Sequence, residues 1–193
     1  MTTSERFQVM RASERPATAW LNGGGVTREV AGFPAGAGLD AFDWRVSLAD
    51  VATAGPFSPF PGIDRVITLV EGAGMVLTVD GVEQPVDIPL RPFAFSGDAT
   101  TDCRLSAGPV VDFNVMTRRG RIEATVDLTA AADTAVPVDV WDGSTALLVC
   151  LAGTAAVDGV ELARYDAALL DTPGTYEVRP KGTTAVVTFR TMP

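Results

Sequence analysis

Histidine is missing from this chain altogether, and two other polar residues nearly so: Lys181 is its single lysine, and Asn22 and Asn114 are its two asparagines. Without imidazole there is no Ser-His-Asp or Cys-His nucleophile system. The usual nitrogen ligands of zinc, iron and copper are gone as well. No Asp-x-Asp-x-Asp-Gly loop offers an oxygen-only cation site, so neither a metal ligand nor a cofactor is expected. Cysteine is scarce too. Cys103 and Cys150 lie far apart in strand-like sequence, and Glu5, Arg6, Arg11, Glu14 and Arg15 leave no apolar leader ahead of them. Two buried free thiols in a reducing, cytoplasmic setting are the expectation. No apolar run approaches the ~20 residues of a membrane helix. Basic charge is in deficit, with 15 Lys and Arg against 24 Asp and Glu, a formal net charge of -9. That balance speaks against nucleic acid and against an anionic membrane surface as partners. The local exception, Arg118-Arg119-Gly120-Arg121, reads as a solvated hairpin end.

What is present is β sequence nearly throughout. Short runs of Val, Ile, Leu, Thr and Phe are broken every eight to twelve residues by Gly, Pro or Asp-Gly. Strands are predicted over 44–48, 66–70, 75–79, 110–116, 147–151, 167–171 and 185–190. Residues 128–135 read as a connector, and Ser47–Val51 has the composition to open one helical turn. Asp80-Gly81-Val82-Glu83 recurs as Asp158-Gly159-Val160-Glu161, each after a strand and a glycine (Gly72, Gly153) and before another strand. Asp-Gly between strands is a hairpin signal. The repeated order predicts an all-β bicupin, two cupin-like β-barrel or jelly-roll halves in one compact chain. The boundaries expected are 1–122 for the first half and 123–193 for the second.

Candidate site residues cluster in the first half. Trp20-Leu21-Asn22-Gly23-Gly24-Gly25 suggests a phosphate loop at first sight. The β-branched Val26, Thr27 and Val30 that follow argue for a strand where such a loop needs a helix. The glycines then let the backbone bend so that Asn22 and Glu29 reach a barrel rim. In Trp44-Arg45-Val46-Ser47-Leu48, Arg45 and Ser47 share one face. An interior Arg and Ser can grip a carboxylate, while an exposed Arg45 would only pair with a structural acid. Gly55-Pro56-Phe57-Ser58-Pro59-Phe60-Pro61-Gly62 is too rich in Pro and Gly for a regular element, and Phe57 and Phe60 cap a cavity or plug a barrel end. Arg65 opens the next strand. Asp112, Asn114 and Met116 alternate with Phe113 and Val115, which makes Asp112 and Asn114 either ligand contacts or a hydrogen-bond clamp. Asp98 reads as a turn residue. The aliphatic second half is left for packing or for a homodimer.

Six blocks, at 20–30, 42–49, 55–65, 69–74, 92–98 and 112–118, together resemble the HutD/Ves family in its own order. One departure is local: the family often reads Pro-Trp-Lys/Arg-Asn, and this chain has Ala19-Trp20-Leu21-Asn22. The resemblance implies a cytoplasmic bacterial bicupin without the metal ligands of cupin enzymes. It also implies a regulatory link to histidine utilisation, with a small carboxylate such as urocanate or a formylglutamate-like compound as ligand. A Ves-like member is instead linked to stress or cold responses. No residue is assigned a catalytic role. The ligand-binding set is Asn22, Glu29, Arg45, Ser47, Phe60, Arg65, Asp112 and Asn114, with Arg45 or Arg65 as counter-ion. Two other readings stand beside it. One is a metal-independent acid/base enzyme using Glu29, Asp98 or Asp112, and the other is a purely structural or interaction bicupin.

Overall fold

A computed structural model describes residues 2–3 and 6–192. In chain order its strands are β1 (Thr2–Thr3), β2 (Gln8–Met10), β3 (Thr18–Ala19), β4 (Gly25–Phe33), β5 (Trp44–Val51), β6 (Gly55–Pro56), β7 (Ile63–Glu71), β8 (Met75–Val79), β9 (Val82–Val86) and β10 (Pro92–Ser96). They continue with β11 (Thr101–Leu105), β12 (Val110–Arg118), β13 (Ile122–Thr129), β14 (Val136–Val140), β15 (Ser144–Ala152), β16 (Ala155–Val157), β17 (Val160–Leu162), β18 (Ala167–Leu170), β19 (Gly174–Pro180) and β20 (Thr183–Thr191). A single 3-10 turn, Ala12–Glu14, is the only helical element among the described residues.

The chain divides into two compact units, Pro16–Arg121 and a second made of Met1–Arg15 with Ile122–Pro193. In the first, one sheet runs β10-β7-β12-β5-β4-β3 and the other β6-β11-β8-β9. In the second, the sheets run β1-β2-β18-β15-β20-β13 and β14-β19-β16-β17. Adding eight to each strand number converts the pairings of β5 through β12 into those of β13 through β20. This is an internal duplication of an eight-stranded jelly roll, whose sheets stay separate and do not close into a hydrogen-bonded barrel. The repeated Asp-Gly pairs sit at the same hairpin in both copies, between β8 and β9 and between β16 and β17. Asp80 and Asp158 have φ of 47° and 45°, and the following glycines 83° and 82°. Asp and Gly tolerate the left-handed region that this tight turn requires.

Three local expectations are corrected. Residues 1–15 were expected in the first half, yet β2 pairs with β18 in the second unit. Arg11 reinforces that docking by donating to Asp166 at 2.7 Å, and the Asp166 carboxylate also accepts from the Ala12 N–H. Ser47–Val51 is not helical: it completes β5, held by β4 on one side and β12 on the other. Within the Pro-rich loop, Gly55 and Pro56 form a short strand against Cys103 and Asp102.

The first unit's core joins Val51, Ile67, Leu69, Met75, Leu77, Val86, Cys103 and Val110, with Trp20, Phe57, Phe93 and Phe95 packed on it. The second unit's core includes Leu148, Cys150, Leu162, Leu170, Tyr176, Val178 and Val186. Both cysteines are free and buried. No helix among the described residues is long and apolar enough to cross a membrane.

Candidate functional site

The inner face of the first unit's six-stranded sheet is laid out by its register. Residues two apart on a strand share a face, and β10, β7, β12, β5 and β4 form one antiparallel series. One row of partners runs Phe95, Arg65, Met116, Arg45 and Gly32. The next runs Phe93, Ile67, Asn114, Ser47 and Glu29, and a third runs Leu69, Asp112, Ala49 and Thr27. Thus Arg45, Ser47, Arg65, Asp112 and Asn114 come together on one face, with Glu29 at its edge. A register shift between Glu29 and Ala31 brings Glu29 and Gly32 to the same side. There Glu29 Oε2 accepts the Arg45 Nε–H at 2.7 Å.

Arg65 is the unusual member. It is 6% exposed, and its guanidinium lies over three rings, 4.9 Å from the centre of Phe95, 5.4 Å from Phe57 and 5.5 Å from Phe60. Aromatic faces attract a cation, but they cannot accept its N–H groups as a carboxylate would. Its Nε is buried without a hydrogen-bond partner, as are Asp112 Oδ1 and Asn114 Oδ1. Asp112 is 1% exposed and Asn114 7%. Buried polar atoms are normally satisfied, and here three of them, one on a guanidinium and one on a carboxyl group, lie on the same face without a partner among the chain's own groups. Burial lowers the Arg65 pKa to about 10, with the Asp112 charge opposing that shift and Arg45 adding to it. Burial pushes Asp112 up to about 7, against the pull of Arg65 and with a further push from Asp50.

The Trp20–Val30 stretch closes this face from the side. Trp20 donates its indole N–H to Thr27 Oγ1 at 2.7 Å and meets Phe57 edge-on, with ring centres 6.1 Å apart. A Cβ on Gly25 would come 2.5 Å from the Asp50 carbonyl oxygen and 3.2 Å from the Trp20 ring. Gly25 is there for close approach. Gly23 instead supplies a left-handed turn at φ 70°. Asn22 does not join the polar cluster: it is exposed, and its Oδ1 accepts the Gly24 N–H at 2.9 Å. Its visible role is to hold the turn.

Phe60 acts as one wall of the Arg65 cage. Asp98 lies on the exposed side of a turn, where it accepts from the Gly62 N–H, Ser96 Oγ and Arg119. The Gly62 N–H first, then Arg119 and Ser96, hold its carboxyl down at about 2. That leaves it a structural acid and removes it as a proton-transfer group near neutrality. The Arg118–Arg121 segment is not a free basic patch: Arg119 pairs with Asp64 and Asp98, and Arg118 and Arg121 both reach Asp43. The sequence reading missed Phe95, Thr27 and Asp50. Alternation in Phe93-Ala94-Phe95 shows that the two phenylalanines share a face, but only the β10–β7 register places Phe95 opposite Arg65. Among the described residues, no group of three or more Cys, Asp or Glu side chains is placed to hold a metal ion.

The model of the HutD family matches residues 12–188. A 21.2 kDa protein of the hutC 3' region of Pseudomonas putida is 43% identical over 111 residues, and protein Ves of Citrobacter koseri 44% over 114. Each match covers 58% of this chain and spans 58% of the relative's length. The solved structure of HutD from Pseudomonas fluorescens superposes with a TM-score of 0.85 at 35% identity, covering 97% of this chain and all of that one. Quercetin 2,3-dioxygenase from Acinetobacter baumannii, at 14% identity and a TM-score of 0.65 over 97% of this chain and 80% of its own, shares the cupin fold alone. The family match over nearly the whole chain, the 35% identity to a full-length HutD structure and the duplicated jelly roll agree: the chain belongs to the HutD family.

Proposed function

We propose that this protein binds a small carboxylate through Arg65 and acts, without a metal, in regulating histidine and urocanate catabolism in the cytoplasm. The observation that carries the reading is Arg65: a buried guanidinium, caged by three rings, with an orphaned Nε. A buried guanidinium N–H left without an acceptor is costly, and a carboxylate is the group whose geometry suits a guanidinium. Asn114, Ser47 and Asp112 share its face and would orient the rest of the ligand. The link to histidine catabolism rests on the names HutD and hutC 3' region carried by the relatives. Thermal-shift measurements with urocanate, N-formylglutamate and formate test it. A ligand at 100 times its Kd stabilises the folded state by about 2.7 kcal/mol. The expected result is a raised melting point in the native protein and none in Arg65→Met. No shift with any of the three at millimolar concentration overturns the reading.

A second reading is favoured by one observation. Asp112, brought to about 7 by burial, titrates where a general acid or base works best. Turnover of a histidine-pathway intermediate that disappears in Asp112→Asn would establish it.

A further inference from the structure

The charges around the Arg65 site leave one unresolved balance. Arg45 and Glu29 neutralise each other through a 2.7 Å ion pair at the edge. Asp50, on β5, pairs with Arg28. Cys103, on β11, stays a neutral thiol, pushed up to about 11 by burial and then by the Asp112 charge. Two inner-face groups remain, Arg65 on β7 and Asp112 on β12, both buried and both carrying a polar atom without a partner. With Asp112 ionised they sum to zero. A carboxylate beside Arg65 then leaves one uncompensated negative charge in a desolvated place, the arrangement in which like charges force one acid to take a proton.

We propose that a small carboxylate enters the Arg65 site together with a proton, which passes from solvent onto the Asp112 carboxylate, so that binding is proton-linked and weakens as pH rises. This deepens, and rests on, the carboxylate-binding reading above. The protonated Asp112 becomes a hydroxyl donor, and the second ligand oxygen or the nearby Asn114 Oδ1 is an acceptor for it. The site then holds one cation, one anion and one neutral acid. Asp112 already sits near neutrality through burial, so the added proton costs little at physiological pH.

Calorimetry of formate and of urocanate binding at pH 8, in two buffers of different ionisation enthalpy, counts the protons. The expected result is uptake approaching one proton per ligand, with Kd rising about tenfold per pH unit above pH 7 and levelling off below it. In Asp112→Asn the uptake disappears. A carbon-13 NMR titration of the Asp112 carboxyl in the native protein gives an independent readout, a shift to the protonated position on adding formate at pH 8. Binding with no proton uptake and a pH-independent Kd overturns the proposal while leaving the carboxylate reading intact. Uptake that persists unchanged in Asp112→Asn also overturns it, because the proton then lands elsewhere. Absence of binding by both probes at every pH overturns both readings.

Discussion

Arg65 and Ala146 occupy the same place in two copies of one strand plan. Arg65 pairs with Phe95 on β10 and Met116 on β12, and Ala146 pairs with Leu170 on β18 and Thr188 on β20. Moving along the same inner face, Asn114 opposite Ile67 becomes Val186 opposite Leu148, and Asp112 opposite Leu69 becomes Thr184 opposite Cys150. Identical pairing therefore surrounds a polar interior in one half and an aliphatic one in the other. The backbone plan decides which residues face inward, and side-chain identity decides whether that face can receive a ligand. The second half keeps one uncharged orphan on this face, Thr184 Oγ1, but no buried charge there, and its largest buried polar side chain is satisfied. The Tyr176 hydroxyl sits 2.7 Å from the Thr172 carbonyl oxygen and 3.0 Å from that of Arg6, sharing its one proton between them.

The largest expected effect comes from erasing this difference. Ala146→Arg puts a cation into a core shared with Leu148, Cys150 and Leu170, where Ala146 is fully buried. Loss of about 4 kcal/mol or more is expected, read as failure to fold or a collapsed denaturation midpoint. A well-folded variant would break the contrast between the halves. A smaller effect is expected for Asp112→Asn and depends on pH. The folded-state pKa of Asp112, about 7, lies above its ordinary value near 3.8. Between those values the native state holds more protons than the unfolded one, so native stability falls as pH rises from about 4 to 7 and is flat above. Asn cannot titrate. The melting-point difference, variant minus native, should therefore grow by several degrees from pH 4 to pH 8, and an unchanged difference would show that Asp112 is ionised throughout. The smallest effect is expected for Tyr176→Phe, which removes one buried hydroxyl at a cost of about 1 kcal/mol. Chemical denaturation measures it, and carboxylate binding in the first half should not move.

Much of the fold was legible in the sequence because its signals are local. Asp-Gly with strands on both sides fixes a hairpin, and alternation placed Arg45 with Ser47 and Asp112 with Asn114. The remainder depends on pairings distant in sequence. No local pattern joins Arg11 to Asp166, so the docking of the first residues onto the second unit had no signal. Ser47–Val51 is strand because β4 and β12 hold it, which composition does not reveal. Arg65 could be nominated as a counter-ion, but its cage draws Phe57 and Phe60 from a loop and Phe95 from another strand. Asn22 shows the opposite case: a rare polar residue beside three glycines suggests a ligand contact, and what the fold adds is the local bond in which its Oδ1 accepts the Gly24 N–H.

The central claim is that the first half alone receives the ligand, through Arg65. Its most direct test is a formate titration followed by backbone amide chemical shifts across the whole chain, repeated on Arg65→Met. The expected result is saturable shifts concentrated at 45–47, 65–69 and 112–116, absent in the variant, with 146–150 and 184–188 unmoved in both. Shifts centred on the second half, or an undiminished response in Arg65→Met, would contradict it.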